Sequence, residues 1–305
     1  MAPAQTSDTV PEHHALPRPA SFTVRSGYAA RSIPTGRSGT TVLDELPLIG
    51  CVVTVAVADN KRRGELSALF TRRGAKVLEA ASTGLAAPGK GPAGEAPAER
   101  SQADRLALDR LVGSVVRREV HAICFTTASD VAAVLEGADA AGLREELLAA
   151  LSGDVTAVCP DPLCARPLEL LGVTPLRPER ARPGAMVSAL CTALPLRIRR
   201  EIQLTSGRSM VLQGFAAVID DTASVLPPLP AAVLAELARQ PGWVVSRADL
   251  LRRVWAPRGV GADKRDEHAV EATIARLRAA LGPNAALVKT VIKRGYRLPV
   301  DGEAW

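Results

Sequence analysis

The chain has 305 residues and a formal net charge of +6, with 47% hydrophobic and only 3% aromatic residues. This composition excludes a wholly disordered chain, and the length suggests two domains joined by linkers. No apolar run approaches the roughly 18 residues of a membrane-spanning helix, and the N-terminus lacks the pattern of a secretory signal. The five cysteines form no CxxC pair, which argues against a zinc site or a disulfide framework. We therefore expect a cytoplasmic protein without a metal or a cofactor.

The first hundred residues contain one predicted βαβ unit between two irregular segments. Residues 1–46 are rich in Pro, Ser, Thr and Arg without periodicity, which predicts a disordered tail. The apolar run 48–57 predicts a strand buried on both faces, followed by a helix at 61–73 and a strand at 75–80. Residues 84–104 are rich in Gly, Pro and Ala, which predicts a flexible linker.

Strand and helix patterns continue to alternate after this linker. Helices are predicted at 106–116, 129–137, 142–151, 162–171 and 183–194. Strands are predicted at 154–159 and 173–178, and a buried strand running into a polar turn is predicted at 121–129. Because such alternation is typical of parallel sheets, we expect an α/β domain over residues 47–196.

The positive charge is confined to the last third of the chain. Residues 1–196 contain 21 basic and 21 acidic residues, whereas residues 197–305 contain 17 basic and 11 acidic residues. A compact basic domain favours a nucleic-acid partner, because Lys and Arg displace counterions from phosphates. A solvated basic surface without a partner explains the charge equally well, so charge alone does not decide.

The pattern of this basic region is that of a winged helix-turn-helix. Short alternating segments at 202–220 predict antiparallel strands. Three predicted helices follow at 230–241, 246–255 and 266–282, and a basic two-stranded hairpin is predicted at 286–300. We therefore expect the α/β domain to be followed by a winged helix-turn-helix domain at 197–305.

The third of these helices has a face suited to DNA. Its core face consists of Val270, Ile274, Leu277 and Leu281 at helical spacing. The opposite side carries small and polar residues, namely His268, Ala272, Ala275, Arg276 and Ala279, flanked by Glu271, Thr273 and Arg278. Such a face can enter the major groove, where Arg contacts guanine and methyl groups contact thymine. An ordinary surface helix with a mixed polar face is the alternative.

The segment 247–297 resembles the effector domain of OmpR/PhoB-type response regulators through SRADLLRRVW, VEATIARLRAALG and VKTVIKRGYRL. The resemblance implies that the third helix reads the major groove with Arg276, that the wing enters the minor groove, and that loop 256–266 contacts RNA polymerase. His268 and Arg294 depart from the family, which usually has Arg and a small residue there. The implied DNA-binding residues are Arg247, His268, Glu271, Thr273, Arg276, Arg278, Thr290, Lys293, Arg294 and Arg297.

The front half lacks the acidic set of a phosphorelay receiver, because Asp59 stands alone after the first strand and CFTTAS contains no Asp. It resembles uroporphyrinogen-III synthase instead, and fusions of such a domain to a winged helix are known among actinobacterial regulators. The similar segments are 48–57, 72–77, 123–129, 153–173 and 178–190. Much of the enzyme's two-lobed structure has no counterpart, and the turn 161–164 replaces the family's Gly-Pro-x-Thr. The resemblance therefore implies a reduced, inactive synthase-like domain.

Thr126, Thr127 and Ser129 remain as candidate donors to a carboxylate-rich effector. The alternative is a strand-to-helix turn in which Ser129 is the N-cap. We predict a nucleoid-associated, sequence-specific DNA-binding transcriptional regulator that binds double-stranded DNA as a homodimer and uses its α/β domain as a sensor or dimerisation platform. Two other functions stay open: a cofactor-free synthase with a DNA-binding appendage, and an architectural DNA-binding protein whose front half only dimerises.

Overall fold

The structure is a computed structural model that describes residues 41–81, 97–255 and 267–300. Its first unit contains a sheet built from β1 (Val52–Val57), β2 (Lys76–Ala81), β3 (Ala122–Phe125) and β4 (Thr156–Val158), in the order β2-β1-β3-β4. Val53 of β1 pairs in parallel with Val77 on one side and with Ala122 on the other. The predicted parallel α/β domain is therefore confirmed.

Helices cover both faces of this sheet, which explains why β1 is buried at every position and apolar at all but Thr54. In chain order they are α1 (Val42–Glu45), α2 (Asn60–Arg72), α3 (Pro97–Val116), α4 (Ala128–Ala140), α5 (Arg144–Ser152), α6 (Pro162–Glu169) and α7 (Pro183–Ile198). Val53 and Val55 pack toward α2 and α7, whereas Val52 and Ala56 pack toward α3, α4, α5 and α6. No helix within the described ranges is long and apolar enough to cross a membrane.

Three predicted boundaries are wrong. Helix α1 lies inside the predicted tail, where Thr41 and Asp44 form a capping box and Val42 is buried. Helix α3 begins at Pro97, inside the predicted linker. The strand predicted at 173–178 reduces to one parallel bridge between Leu176 and Val158. The local sequence did not predict these elements correctly, because helix caps and long-range packing decide where an element begins. Residues 1–40 and 84–96 of these predictions lie outside the described residues.

The second unit is the predicted winged helix. Its antiparallel strands are β5 (Arg200–Gln203), β6 (Ser209–Gln213), β7 (Ala216–Ile219) and β8 (Thr222–Val225), and each pairs with the next. Its helices are α8 (Pro228–Leu237), α9 (Arg247–Leu250), which continues as a π-helical turn over Leu251–Trp255, and α10 (Glu267–Leu281). The wing is the hairpin of β9 (Lys289–Val291) and β10 (Gly295–Arg297). Residues of β5, β6, β7, α8, α9, α10 and β10 share one apolar core around Val270 and Trp255.

The two units contact each other through the turn between β6 and β7. The side chain of Gln213 is fully buried, and its Nε2 donates hydrogen bonds of 3.0 Å to the carbonyl oxygens of Pro47 and Ile49. Its Oε1 accepts a hydrogen bond of 3.1 Å from Nε of Arg199. Because a buried amide is costly unless its polar atoms are paired, these bonds specify one docked arrangement of the two units.

His121 lies at the same contact. Its Nδ1 accepts a hydrogen bond of 3.0 Å from the Val52 amide, and its ring packs edge-on against Phe215 with centroids 4.6 Å apart. Burial lowers the pKa of His121 to about 4. The imidazole is therefore neutral in the folded protein at pH 7.

This neutral histidine makes stability depend on pH. Between pH 6.5 and about 4 the unfolded chain binds a proton at His121 that the folded protein does not bind. The free energy of unfolding should therefore fall as the pH falls, by about 2–3 kcal/mol more in the wild type than in His121→Asn. The Asn side chain can accept the Val52 hydrogen bond but does not titrate. Urea unfolding at pH 7, 5.5 and 4 measures the difference, and parallel pH curves for the two proteins would contradict the assignment.

Candidate nucleic-acid interface

Helix α10 is held by its apolar face. Val270, Ile274, Leu277 and Leu281 are each no more than 1% exposed and belong to the core of the winged helix. This confirms the predicted core face, and it fixes the rotation of the helix about its axis. The backbone of every outward residue on α10 is thereby placed by packing rather than by its own side chain.

The outward face of α10 carries small, exposed side chains around a single arginine. Ala272, Ala275 and Ala279 are exposed, so backbone can approach a flat or grooved partner closely. Arg276 is also exposed, and it forms no hydrogen bond or ion pair with any other described residue. Its guanidinium is therefore available to an external acceptor, and a planar fork of donors suits the two acceptors on the major-groove edge of guanine.

Near its N-terminus, α10 is tied to α9 by charge. Nη2 of Arg247 donates a hydrogen bond of 3.1 Å to Oε1 of Glu271, and its guanidinium stands 5.5 Å from the ring centre of Tyr296. The ring of His268 is almost fully exposed, with Nδ1 3.7 Å from Oε2 of Glu271. Arg247 and Glu271 are thus partly occupied by each other, whereas His268 faces solvent.

Thr273 does not lie on the outward face, so its prediction as a residue beside the base reader is wrong. It is only 3% exposed, and its hydroxyl donates a hydrogen bond of 2.7 Å to the carbonyl oxygen of Ala269. The spacing contained this signal, because Thr273 stands three residues after Val270 and so belongs to the same helical stripe. The hydroxyl is satisfied within the helix, which is how a threonine is accommodated in an apolar core.

Arg278 joins α10 to the wing through hydrogen bonds. Its Nε and Nη2 donate to the carbonyl oxygen of Val288 at 3.1 and 2.6 Å, and Nη2 also reaches Oγ1 of Thr290 at 2.8 Å. Arg278 and Thr290 are both among the residues that the resemblance implies to bind DNA. The structure brings both to the wing, where they join the last strand pair to α10.

The wing itself presents two cations on a fixed turn. Lys293 and Arg294 are exposed, Lys293 has φ of 61°, and the Arg294 amide donates to the Val291 carbonyl oxygen at 3.0 Å. At the base, Gly295 has φ of 142°, and a Cβ there would lie 2.1 Å from the carbonyl oxygen of Val245. Only glycine allows this close approach, which anchors the wing against the segment before α9. Arg297, the remaining predicted contact, is half-buried in β10.

Ser246 fixes the start of α9. Its hydroxyl accepts a hydrogen bond of 3.0 Å from the Asp249 amide and donates one of 2.7 Å to Oδ2 of Asp249. The second bond lowers the pKa of Asp249, so the carboxylate stays charged at the helix N-terminus. Ser246 is therefore the N-cap of α9. The loop at 256–266, predicted to contact RNA polymerase, lies outside the described residues.

The candidate ligand donors of the α/β domain form a helix cap. Oγ1 of Thr127 accepts from the Asp130 amide at 3.2 Å, and Oγ1 of Thr126 donates to Oδ2 of Asp130 at 2.9 Å. Asp130 is 2% exposed and also accepts a hydrogen bond from the Ala58 amide. The N-cap is thus Thr127 rather than Ser129, which is exposed. No group of His, Cys, Asp or Glu side chains suited to a metal occurs among the residues that the structure describes.

An antiparallel sheet, a buried helical core, an exposed small-residue helix and a basic wing together define a winged helix-turn-helix DNA-binding domain. Residues 222–298 match the family described as transcriptional regulatory protein, C terminal. The C-terminal part of the chain is therefore the DNA-binding domain of a transcriptional regulator. The comparison with curated proteins found no match.

Solved structures resemble both parts of the chain. The DNA-binding domain of CpxR from E. coli is 26% identical over 33% of this chain and 97% of that one, with a TM-score of 0.26. The Klebsiella pneumoniae RstA DNA-binding domain in complex with the RstA box is 28% identical over 33% and 97%, with a TM-score of 0.27. Uroporphyrinogen III synthase of Thermus thermophilus is 26% identical over 49% and 54%, with a TM-score of 0.25. This chain thus spans about half the length of that synthase.

Proposed function

We propose that this protein regulates transcription by placing α10 in the major groove of double-stranded DNA and the wing in the adjacent minor groove. The observation that carries the proposal is Arg276, an exposed guanidinium with no partner among the described residues, set among exposed alanines on a helix fixed by its core face. Arg276 reads a base, His268 contacts the DNA from the first turn of α10, and Lys293 and Arg294 contact phosphates or the minor groove. Arg278 and Thr290 act by holding the wing.

The α/β domain serves as a sensor or dimerisation platform in this proposal. The α/β domain contacts the winged helix through Gln213 and Gly50. This contact supports a coupling between the two domains, because a conformational change in the α/β domain would strain the winged helix. The protein works as a cytoplasmic homodimer, takes a small-molecule effector in the α/β domain, and contacts RNA polymerase through loop 256–266. The domain has no synthase activity. Incubation with the linear tetrapyrrole tests this last point, and formation of the ring-inverted product above the spontaneous rate would replace this part of the proposal.

Binding should depend steeply on salt. The test uses the whole chain, because an isolated fragment 197–305 would expose the apolar residues of β7 that pack against Val42 and Ile49. A preferred operator is first selected from random DNA, and its affinity is then measured from 50 to 300 mM salt. With about six phosphates contacted, log K against log salt should have a slope of roughly −5.

Two variants provide the controls. Lys293→Ala should reduce the magnitude of the slope by about one unit, because one phosphate contact is lost. Arg239→Ala removes an exposed arginine that belongs to neither α10 nor the wing and is paired with Glu236, and it should leave the slope unchanged. A slope near zero for the wild type, or equal effects of the two variants, would contradict the placement of the wing on DNA.

A further inference from the structure

The tip of the wing carries an apolar side chain beside its cations. Ile292 is 82% exposed and stands between Val291, the last residue of β9, and Lys293. An isolated exposed hydrophobic residue is common on protein surfaces, and Leu196 on α7 is equally exposed at 83%. What distinguishes Ile292 is its position, because the exposed cations Lys293 and Arg294 follow it directly in the same turn.

The wing resists displacement of this tip. Tyr296 is buried, its amide donates to the Val245 carbonyl oxygen at 3.0 Å, and the Val245 amide donates back to Tyr296 at 2.9 Å. Gly295 abuts the Val245 carbonyl, and Arg278 holds the Val288 carbonyl from the side of α10. A force applied at Ile292 is thus transmitted to the core of the domain. The β-branched side chain adds stiffness, since its first torsion has few allowed states.

A rigid apolar tip beside two cations suits one target, the minor groove of DNA. The cations attract the phosphates on either side of the groove, and the narrow groove concentrates negative potential. Apolar side chains that enter this groove partly unstack a base step and bend the duplex toward the major groove. Transfer of the exposed side chain out of water favours this insertion, whereas a polar residue at the tip would gain nothing from it.

We propose that Ile292 is a wedge that enters the minor groove, partly unstacks one base step and bends the operator. This activity rests on the proposed function, because it needs the wing on DNA. It adds a preference to that function: the step facing the wing should be a flexible pyrimidine–purine step such as TA or CA, which unstacks at low cost. Stiff A-tracts at that position should bind more weakly.

The test compares full-length wild type with Ile292→Ser, Ile292→Leu and Leu196→Ser on the selected operator. The bend angle is measured by energy transfer between dyes at the two DNA ends, and unstacking by the fluorescence of 2-aminopurine placed at the step facing the wing. Wild type and Leu196→Ser should bend the DNA and raise the 2-aminopurine signal. Ile292→Ser should lose at least half of the bend and of the signal, and Ile292→Leu should retain both.

The readouts separate failure of the wedge from failure of the proposed function. Absence of any preferred operator for the wild type would overturn the proposed function. Tight, salt-dependent binding by the wild type with unbent DNA would overturn the wedge alone. Equal bending by wild type and Ile292→Ser would do the same. The wild type should bind an operator with a TA or CA step at least threefold more tightly than one with an A-tract at that position. Loss of this preference in Ile292→Ser would support the wedge independently of the bend angle.

Discussion

Replacing Arg276 by Ala should lower affinity for the selected operator by about 1–3 kcal/mol and relax the preference at a single base pair. The guanidinium is exposed and has no internal partner among the described residues, so its removal leaves no buried group unpaired. Arg276 also stands directly before the buried Leu277, which holds the backbone of this turn in place. The loss should therefore come from DNA contacts and not from a changed fold.

The controls for Arg276 distinguish base reading from charge. Arg276→Lys keeps the charge but not the planar pair of donors, so it should lose most of the specificity while retaining the affinity for scrambled DNA. Lys293→Ala should weaken operator and scrambled DNA by similar factors, because a phosphate contact carries no sequence information. Circular dichroism checks the fold of each variant. An equal loss for both DNAs in Arg276→Ala would mean that this residue contacts only phosphate.

Replacing Gly50 by Ala should cost about 2–5 kcal/mol of stability, from left-handed backbone strain and overpacking together. Gly50 has φ of 75°, and an added Cβ would lie 2.4 Å from the Ala216 nitrogen and 2.5 Å from the Gln213 carbonyl oxygen. These are backbone atoms, so they cannot move aside as a flexible side chain could. The contact between the two units must open for the methyl group to fit.

Unfolding experiments can locate this strain, because all three tryptophans, Trp243, Trp255 and Trp305, lie in the last third of the sequence. Tryptophan fluorescence therefore reports on the winged helix alone, whereas circular dichroism reports on both units. In Gly50→Ala the two urea transitions should separate, since each unit keeps its own apolar core.

Gly172→Ala is the matched control for this prediction. Gly172 also has a left-handed φ of 79°, but no atom lies within 4 Å of its added Cβ. It should therefore cost only the backbone strain, about 1–2 kcal/mol, and leave the order of the two transitions as in the wild type. If Gly50→Ala is no more destabilising than Gly172→Ala, the close contact between the units does not exist in solution.

Patterns of apolar residues predicted the architecture well, because burial repeats with the geometry of each element. The run at 52–57, apolar except for Thr54, required cover on both faces of β1, and helices lie on both. The spacing of Val270, Ile274 and Leu277 fixed the core face of α10. Both inferences depend on local periodicity, which a sequence displays directly.

Individual side chains beside these stripes were decided by their neighbours. Periodicity gives the direction of a helix face, but the width of the buried arc depends on what packs against it. Thr273 became a core residue because the arc extends past Val270, and Arg278 became a support for the wing because the Val288 carbonyl oxygen lies within its reach. In the α/β domain, Thr126 and Thr127 both donate hydrogen bonds to Asp130 and so form part of a helix cap.

Residue patterns alone were enough to predict the parallel sheet, the winged helix and the outward position of Arg276. How the two parts of the protein meet became visible only in the folded chain. Gln213 is an unremarkable polar residue in the sequence, yet its amide bonds to Pro47 and Ile49, which precede it by more than 160 positions. No local pattern encodes such a contact, because its free energy arises from burying groups that only the folded chain brings together.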